Sequence, residues 1–241
     1  MKKYFCLFLL LSSSFVLFSQ STEIKKKIDL SGRPSDHFLI QGSSDRWLNL
    51  PDSINSHTKN NSRGGNIYFM LDKPFKSNPH FSVAFGAGIS TSHLFLNNMN
   101  VDINGKTPLL QFTSLDSTSR FKKYSVNTAY VEIPVELRFF AKPANPGKSF
   151  KFALGIKIGT LLNAHTKGKT LRDAGGNTIN EYTEKISAKS YFNSRRLSAT
   201  ARVGLGNFSL FGSYNLSGSI FKDKVAPEAK LLQLGLTFSG L

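Results

Sequence analysis

One cysteine, Cys6, is all the 241-residue sequence contains, and it lies inside the apolar run that opens the chain. Beyond that run there is no thiol for a disulfide, a catalytic thiolate or a cysteine zinc site. Acidic residues are also scarce, 15 against 31 Lys and Arg, for a formal charge of +16. After the first run, no apolar stretch reaches the ~18 residues of a membrane-crossing helix. Tryptophan is nearly absent too, with only Trp47 beside 21 phenylalanines. A hydrophobic content of 40% and a mean hydropathy of −0.19 exclude both a disordered chain and a helical membrane protein. Enough length remains for one barrel or sandwich, or for two small domains.

The opening residues read as an export signal. Lys2 and Lys3 precede an apolar run from Tyr4 to Phe18, broken only by Ser12, Ser13 and Ser14. Such a run, about fifteen residues, suits a secretory signal and is too short to span a bilayer. Cleavage is expected after Ser19, leaving Gln20 first. Cys6 has no small residue before it within the run, which argues against a lipid anchor. The expected division is 1–19 signal peptide, 20–35 periplasmic tail carrying Lys25-Lys26-Lys27, and 36–241 barrel.

Alternation with period two then recurs along the chain. Between Tyr130 and Phe139, the odd positions are Val131, Ile133, Val135, Leu137 and Phe139. Their even neighbours include Glu132, Pro134, Glu136 and Arg138. The next run sets Phe150, Phe152, Leu154, Ile156 and Ile158 against Lys151, Ala153, Gly155, Lys157 and Gly159. Similar runs begin at Phe81, Leu197 and Leu232. Strict alternation marks strands with one apolar and one polar face. The spacing predicts eight strands near 36–42, 64–75, 80–97, 120–141, 149–165, 195–206, 208–220 and 231–241. Their connections alternate between short and long. Gly206-Asn207 reads as a two-residue type II′ hairpin turn that sets Leu205 opposite Phe208.

An even strand count, short turns at one end and long loops at the other describe an all-β, eight-stranded antiparallel transmembrane barrel. In a soluble sandwich or lipocalin, the apolar faces would point inward. Here they are nearly pure Val, Ile, Leu, Phe and Ala, which suits lipid. Polar faces of Gly, Ser, Thr and full charges suit a tight lumen.

The segments "SDHFLIQGSSDRWLNLPDSI", "RGGNIYFMLDKPF", "HFSVAFGAGIS", "AYVEIPVELRFF" and "FKFALGIKIGTLLNAHTKGK" resemble the PorT-like outer-membrane β-barrel proteins. The likeness covers nearly all of the chain after the signal, and its motifs mark strands and turns rather than chemistry. It implies an eight-stranded outer-membrane barrel in a Gram-negative envelope, and in some relatives a part in secretion or gliding machinery.

Parity assigns the lumen its charges: Asp72, Glu132 and Glu136 against Arg138, Lys151, Lys157 and Arg202. Near balance is what buried charge requires, and eight strands leave room only for side chains. These residues are expected to form an ion-pair core, not a channel. The strands ending at Phe139 and starting at Phe150 restrict the register to odd position sums. A sum of 289 sets Glu132 opposite Lys157, and 287 sets Glu136 opposite Lys151. The excess of base gathers at the loop end, where Lys167, Lys169, Arg172, Arg195 and Arg196 are expected to contact lipopolysaccharide phosphates. Export makes nucleic acid an unsuitable partner.

Other motif-like strings lack their remaining parts. Gly105-Lys106-Thr107 and Gly168-Lys169-Thr170 resemble the end of a phosphate loop, but its first glycine is replaced by Asn100 or Asn163. Asp102-Ile103-Asn104-Gly105 lacks the other ligands of a calcium loop. His37, His57, His80, His93 and His165 have no metal spacing, so no cofactor is expected. Ser92-His93, near the loop end, would suit a lipid-A-modifying enzyme only with an orienting carboxylate, and none has the right face. The expected function is therefore a non-enzymatic barrel with a structural or interaction role, accessory to a secretion or envelope complex. A lipid-A-modifying enzyme is the alternative.

Overall fold

The computed structural model describes residues 37–223 and 226–240. The expected signal peptide and periplasmic tail lie outside the described residues.

Among the described residues eleven strands form, and eight of them close into a ring. β1 (Phe38–Leu48), β2 (Arg63–Pro74), β3 (Phe81–Leu96), β4 (Met99–Asp102), β5 (Gln111–Ser114) and β6 (Arg120–Phe140) come first. β7 (Phe150–Arg172), β8 (Thr178–Ser187), β9 (Arg195–Leu205), β10 (Phe208–Asn215) and β11 (Lys230–Ser239) follow. The ring runs β1-β2-β3-β6-β7-β9-β10-β11 and closes by antiparallel pairing of β11 with β1. No barrel strand is left with an open edge, as hydrocarbon surroundings require. β8 hangs on the loop end of β7, and β4 and β5 form a separate hairpin.

The alternation puts the apolar set outside. Ile67, Phe85, Ile133, Leu154, Ile158, Leu210 and Leu236 are all exposed, while Ala153, Glu132 and Gln233 on the alternate faces are buried. A soluble barrel would show the reverse. Near the short-turn end, phenylalanines pair at ring-centroid distances of 5.3 Å (Phe38–Phe69, Phe81–Phe139 and Phe208–Phe238), forming an aromatic girdle. Leu205 faces Phe208 across the Gly206-Asn207 turn, and Gly206 takes a φ of +58°. Only the first turn residue has positive φ, as in a type II′ turn.

Two strands outrun the sequence reading. β1 continues to Leu48, and β7 to Arg172, where endings near 42 and 165 were expected. β6 and β7 reach 21 and 23 residues, about twice the ~9–11 a tilted strand needs to cross the bilayer. The surplus rises above the lipid band as a wall, to which β8 adds a third strand. β10 stops at Asn215, short of the expected 220.

From Tyr130 to Phe140 the β6–β7 register has an odd position sum, 291, so neither 289 nor 287 is realised, and from Arg120 to Ala129 the sum is the even 292. Glu132 faces Gly159 and Glu136 faces Gly155. Volume gives the reason. A Cβ on Gly155 would lie 2.3 Å from the Val135 carbonyl oxygen and 2.9 Å from Glu136 Cγ. The glycines leave room for each glutamate to turn into the lumen. The ladder between β3 and β6 lapses opposite Ile133 and Pro134, where proline has no N–H to donate.

Candidate functional site

The lumen is occupied by two charge layers. In the upper one, Arg196 Nη2 donates to Glu132 Oε1 at 2.6 Å, and Lys157 Nζ lies 3.6 Å from Glu132 Oε2. The Tyr68 hydroxyl donates to the same carboxylate. In the lower layer, Arg202 Nη2 donates to Glu136 Oε2 at 2.6 Å and Arg138 Nε donates to it at 3.0 Å. Arg138 also stands 3.6 Å from Asp72, whose carboxylate accepts from the Ser82 hydroxyl. Glu132 and Arg138 are each 1% exposed. Each glutamate is held by two cations, so neither is free to act as a general base. Removing charges from water is costly, and only such pairing offsets that cost.

On the β1 and β11 side the lumen is filled by uncharged polar side chains gathered around one acid, Asp45. Gln41 donates to Thr237, Asn66 to Gln41, and Gln233 to Asp45, which also accepts from Ser43. Lys151 lies at the short-turn end against the Phe140 ring and donates to the Ser239 hydroxyl. A void of about 10 Å³ beside Arg138, Lys151 and Arg202 is at the lower limit for one water.

Above the upper layer the filling turns apolar. The long loops, a helical turn at Asp52–Asn55 and the β4–β5 hairpin fold inward over the barrel mouth. Trp47, Ile54, Leu96, Val101, Tyr191, Phe192 and Phe221 are buried together there. Phe221 is the hub, with ring centroids 5.2 Å from Trp47, 5.3 Å from Phe192 and 6.0 Å from Phe112. Polar groups stitch this dome. The Tyr191 hydroxyl lies 2.7 Å from the carbonyls of Gly105 and Thr107, and the Asn193 amide donates to the carbonyls of Ser219 and Phe221. Tyr130 is the boundary, its ring packed in the dome cluster and 4.0 Å from the Arg196 guanidinium. At the β7–β8 turn, Asp173 accepts from the Asn177 side chain and backbone, which holds its carboxyl below the usual range.

On the outer flank of the wall, cross-strand neighbours form three rows. The lowest runs Arg63, His93, Asn127, His165; the next Phe95, Ser125, Lys167, Lys185; the uppermost Lys123, Lys169, Thr183. Between them lies a shallow groove of about 320 Å³. His93 Nδ1 donates to the Asn127 side-chain oxygen, and Arg63 sits over the Phe95 ring.

A family model for the outer membrane protein beta-barrel domain matches residues 18–221. The chain belongs to this outer-membrane β-barrel family. Its place is therefore the outer membrane, in agreement with the outward apolar faces. No curated protein sequence matches the chain. Among solved structures, the attachment invasion locus protein Ail of Yersinia pestis, in complex with the heparin analogue sucrose octasulfate, is similar. That likeness has 12% identity and a TM-score of 0.33, over 84% of this chain and 96% of Ail.

All seven charges assigned to the lumen by parity have buried side chains in this barrel: Asp72, Glu132, Glu136, Arg138, Lys151, Lys157 and Arg202. Two more join them. Arg196, expected at the surface, is 5% exposed and bonded to Glu132. It shares the even parity of Arg202 on β9, and that was the available signal. Asp45 was missed because β1 was ended before it. Gly42, Ser44 and Arg46 on its outward face carry no apolar side chain, so alternation gave no strand signal there.

Of the other expected surface contacts, Lys167 and Lys169 are exposed on the flank. Arg172 lies opposite Arg120 at the top of the wall, and Arg195 opposite Thr160 on the far side of β7. They do not share one site. Ser92 is buried on the inward face and His93 points outward, so the two sit on opposite sides of β3. Each histidine Nδ1 meets its own oxygen, Met70, Asn97 and Phe140 carbonyls for His37, His57 and His80, and Asn127 and Asn163 side chains for His93 and His165. Among the described residues no three metal-binding side chains gather.

Proposed function

We propose that the protein is a non-enzymatic outer-membrane barrel whose work is interaction at its extracellular end, as an accessory to an envelope or secretion complex. The observation that carries this reading is the filling of the barrel. Two clamped charge layers and an apolar dome occupy the lumen from Arg138 up to Phe221. Such a body anchors and displays its loops; it does not conduct. The resemblance of the strand segments to PorT-like proteins supports the assignment to a complex. Lipid-A modification is disfavoured by the opposed directions of Ser92 and His93.

The purified, folded protein is expected to show no steady conductance in planar bilayers, and mild-detergent extraction is expected to bring down envelope proteins with it. A large reproducible single-channel current would return transport to consideration. A change in lipid A mass when the gene is deleted would return the enzyme.

A further inference from the structure

We infer that the outward face of β2, β3, β6 and β7 above the lipid band is a binding site for the phosphorylated headgroup of a glycolipid in the surrounding outer leaflet. The inference goes beyond the loop-end role proposed above, since it concerns the side of the barrel and not its tips.

The flank collects Arg63, His93, His165, Lys123, Lys167 and Lys169 around one groove of about 320 Å³. Lysines stand directly opposite one another twice, Lys123 to Lys169 and Lys167 to Lys185. Like charges in facing positions on a sheet repel, and among the described residues none of these lysines makes an ion pair. One acid reaches the upper end of this face, Glu181, which lines a second pocket with Lys123 and Lys169. Glu184 faces Gly168, whose neighbours point into the dome, and Glu181 makes no ion pair with any of these lysines. Retaining four lysines on one face, none of them in an ion pair and with one acid at the upper end, makes sense if an anion sits among them. Lysine, arginine and histidine all donate to phosphate oxygens.

Position names the source of that anion. The same strands carry exposed Ile67, Ile89, Val131 and Ile158 lower down their outward faces. A lipid whose chains lie against those residues has its headgroup at the level of the groove. The face is also made on purpose by a local device. Ala129 pairs with Asn163 and Tyr130 with Leu161, so Leu162 is an extra residue that reverses the parity of β7. Below it odd residues such as Lys157 point inward; above it Lys167 and Lys169 point out. Bulges re-aim side chains in this way.

The test uses the full-length protein folded in detergent and native mass spectrometry with three probes: diphosphorylated lipid A, the same lipid dephosphorylated, and inorganic phosphate. The unmodified protein is expected to retain the diphosphorylated form at least tenfold more than the dephosphorylated one. The triple variant Lys123→Gln, Lys167→Gln, Lys169→Gln is expected to lose that preference. A control removing Lys106, Lys142 and Lys148, all exposed elsewhere, should keep it. Ser125→Glu, which places an acid in the groove without removing a lysine, should abolish it as well, and heat-modifiable gel mobility confirms that each variant is folded. Equal retention by the triple variant overturns the site. Equal loss in the control means that total charge, not this groove, does the binding. Displacement of the lipid by millimolar inorganic phosphate overturns the lipid as the occupant. None of these outcomes bears on conductance or on partner capture, so the loop-end reading stands or falls separately.

Discussion

The barrel is filled in two different ways along one axis. At the level of the membrane the lumen is closed by Glu132 and Glu136 with their cations. Above it the mouth is closed by Trp47, Phe192, Phe221 and their apolar neighbours. The difference follows from what each region can bury. In the membrane the apolar residues of every strand face lipid, so the inward face is left with polar and charged groups that must satisfy one another. Above the membrane there is water outside, and the loops gain by turning their apolar side chains inward. Tyr130 joins the two, with its ring in the dome and a guanidinium stacked upon it.

Removing one partner from a charge layer should have the largest effect on stability. Glu132→Ala leaves Arg196 and Lys157 buried without their carboxylate, at a cost of ~3–5 kcal/mol. Loss of heat-modifiable mobility at a lower urea concentration is the readout, and conductance is expected to stay absent. Phe221→Ala removes the hub of the dome at a local cost of ~3 kcal/mol. Here the sole tryptophan reports the damage: Trp47 fluorescence should shift to the red at a urea concentration where the gel still shows a folded barrel. If both readouts moved together in both variants, the two fillings would be one cooperative unit.

Leu154→Arg places a charge on the lipid face and should cost ~2–4 kcal/mol, again read in the barrel transition and not in Trp47. Its inward neighbour offers the smallest effect. Ala153→Ser adds a hydroxyl on the polar side, and the unfolding midpoint should remain within error of the unmodified protein. Equal damage from Leu154→Arg and Ala153→Ser would mean that the faces are assigned backwards.

Much of the membrane part was legible because alternation in a barrel is dictated by lipid. Val131, Ile133, Val135 and Leu137 against Glu132 and Glu136 identify both the strand and its inward face without any tertiary information. The Gly206-Asn207 turn was legible for a local reason, a glycine at the position that needs positive φ. The flank site was only half visible. Lys167 and Lys169 stood out as basic residues, but Arg63, His93 and Lys123 come from three other strands, and no sequence pattern brings them together. The dome was not visible at all, since Trp47, Val101, Phe192 and Phe221 are separated by loops without periodicity.

Period two by itself determined eight membrane strands, their lipid and lumen faces, and the odd-sum register of β6 against β7 below Leu162. Those properties depend on which way consecutive residues point, and a strand settles that residue by residue. The tertiary structure decided the register sum of 291, in which Gly155 and Gly159 make room for two glutamates. It also decided the inward turn of Arg196, the reversal of β7 at Leu162, and the closing of the mouth by its loops. Each of these depends on the volume and charge of a neighbour far away in sequence, which alternation along one strand cannot carry.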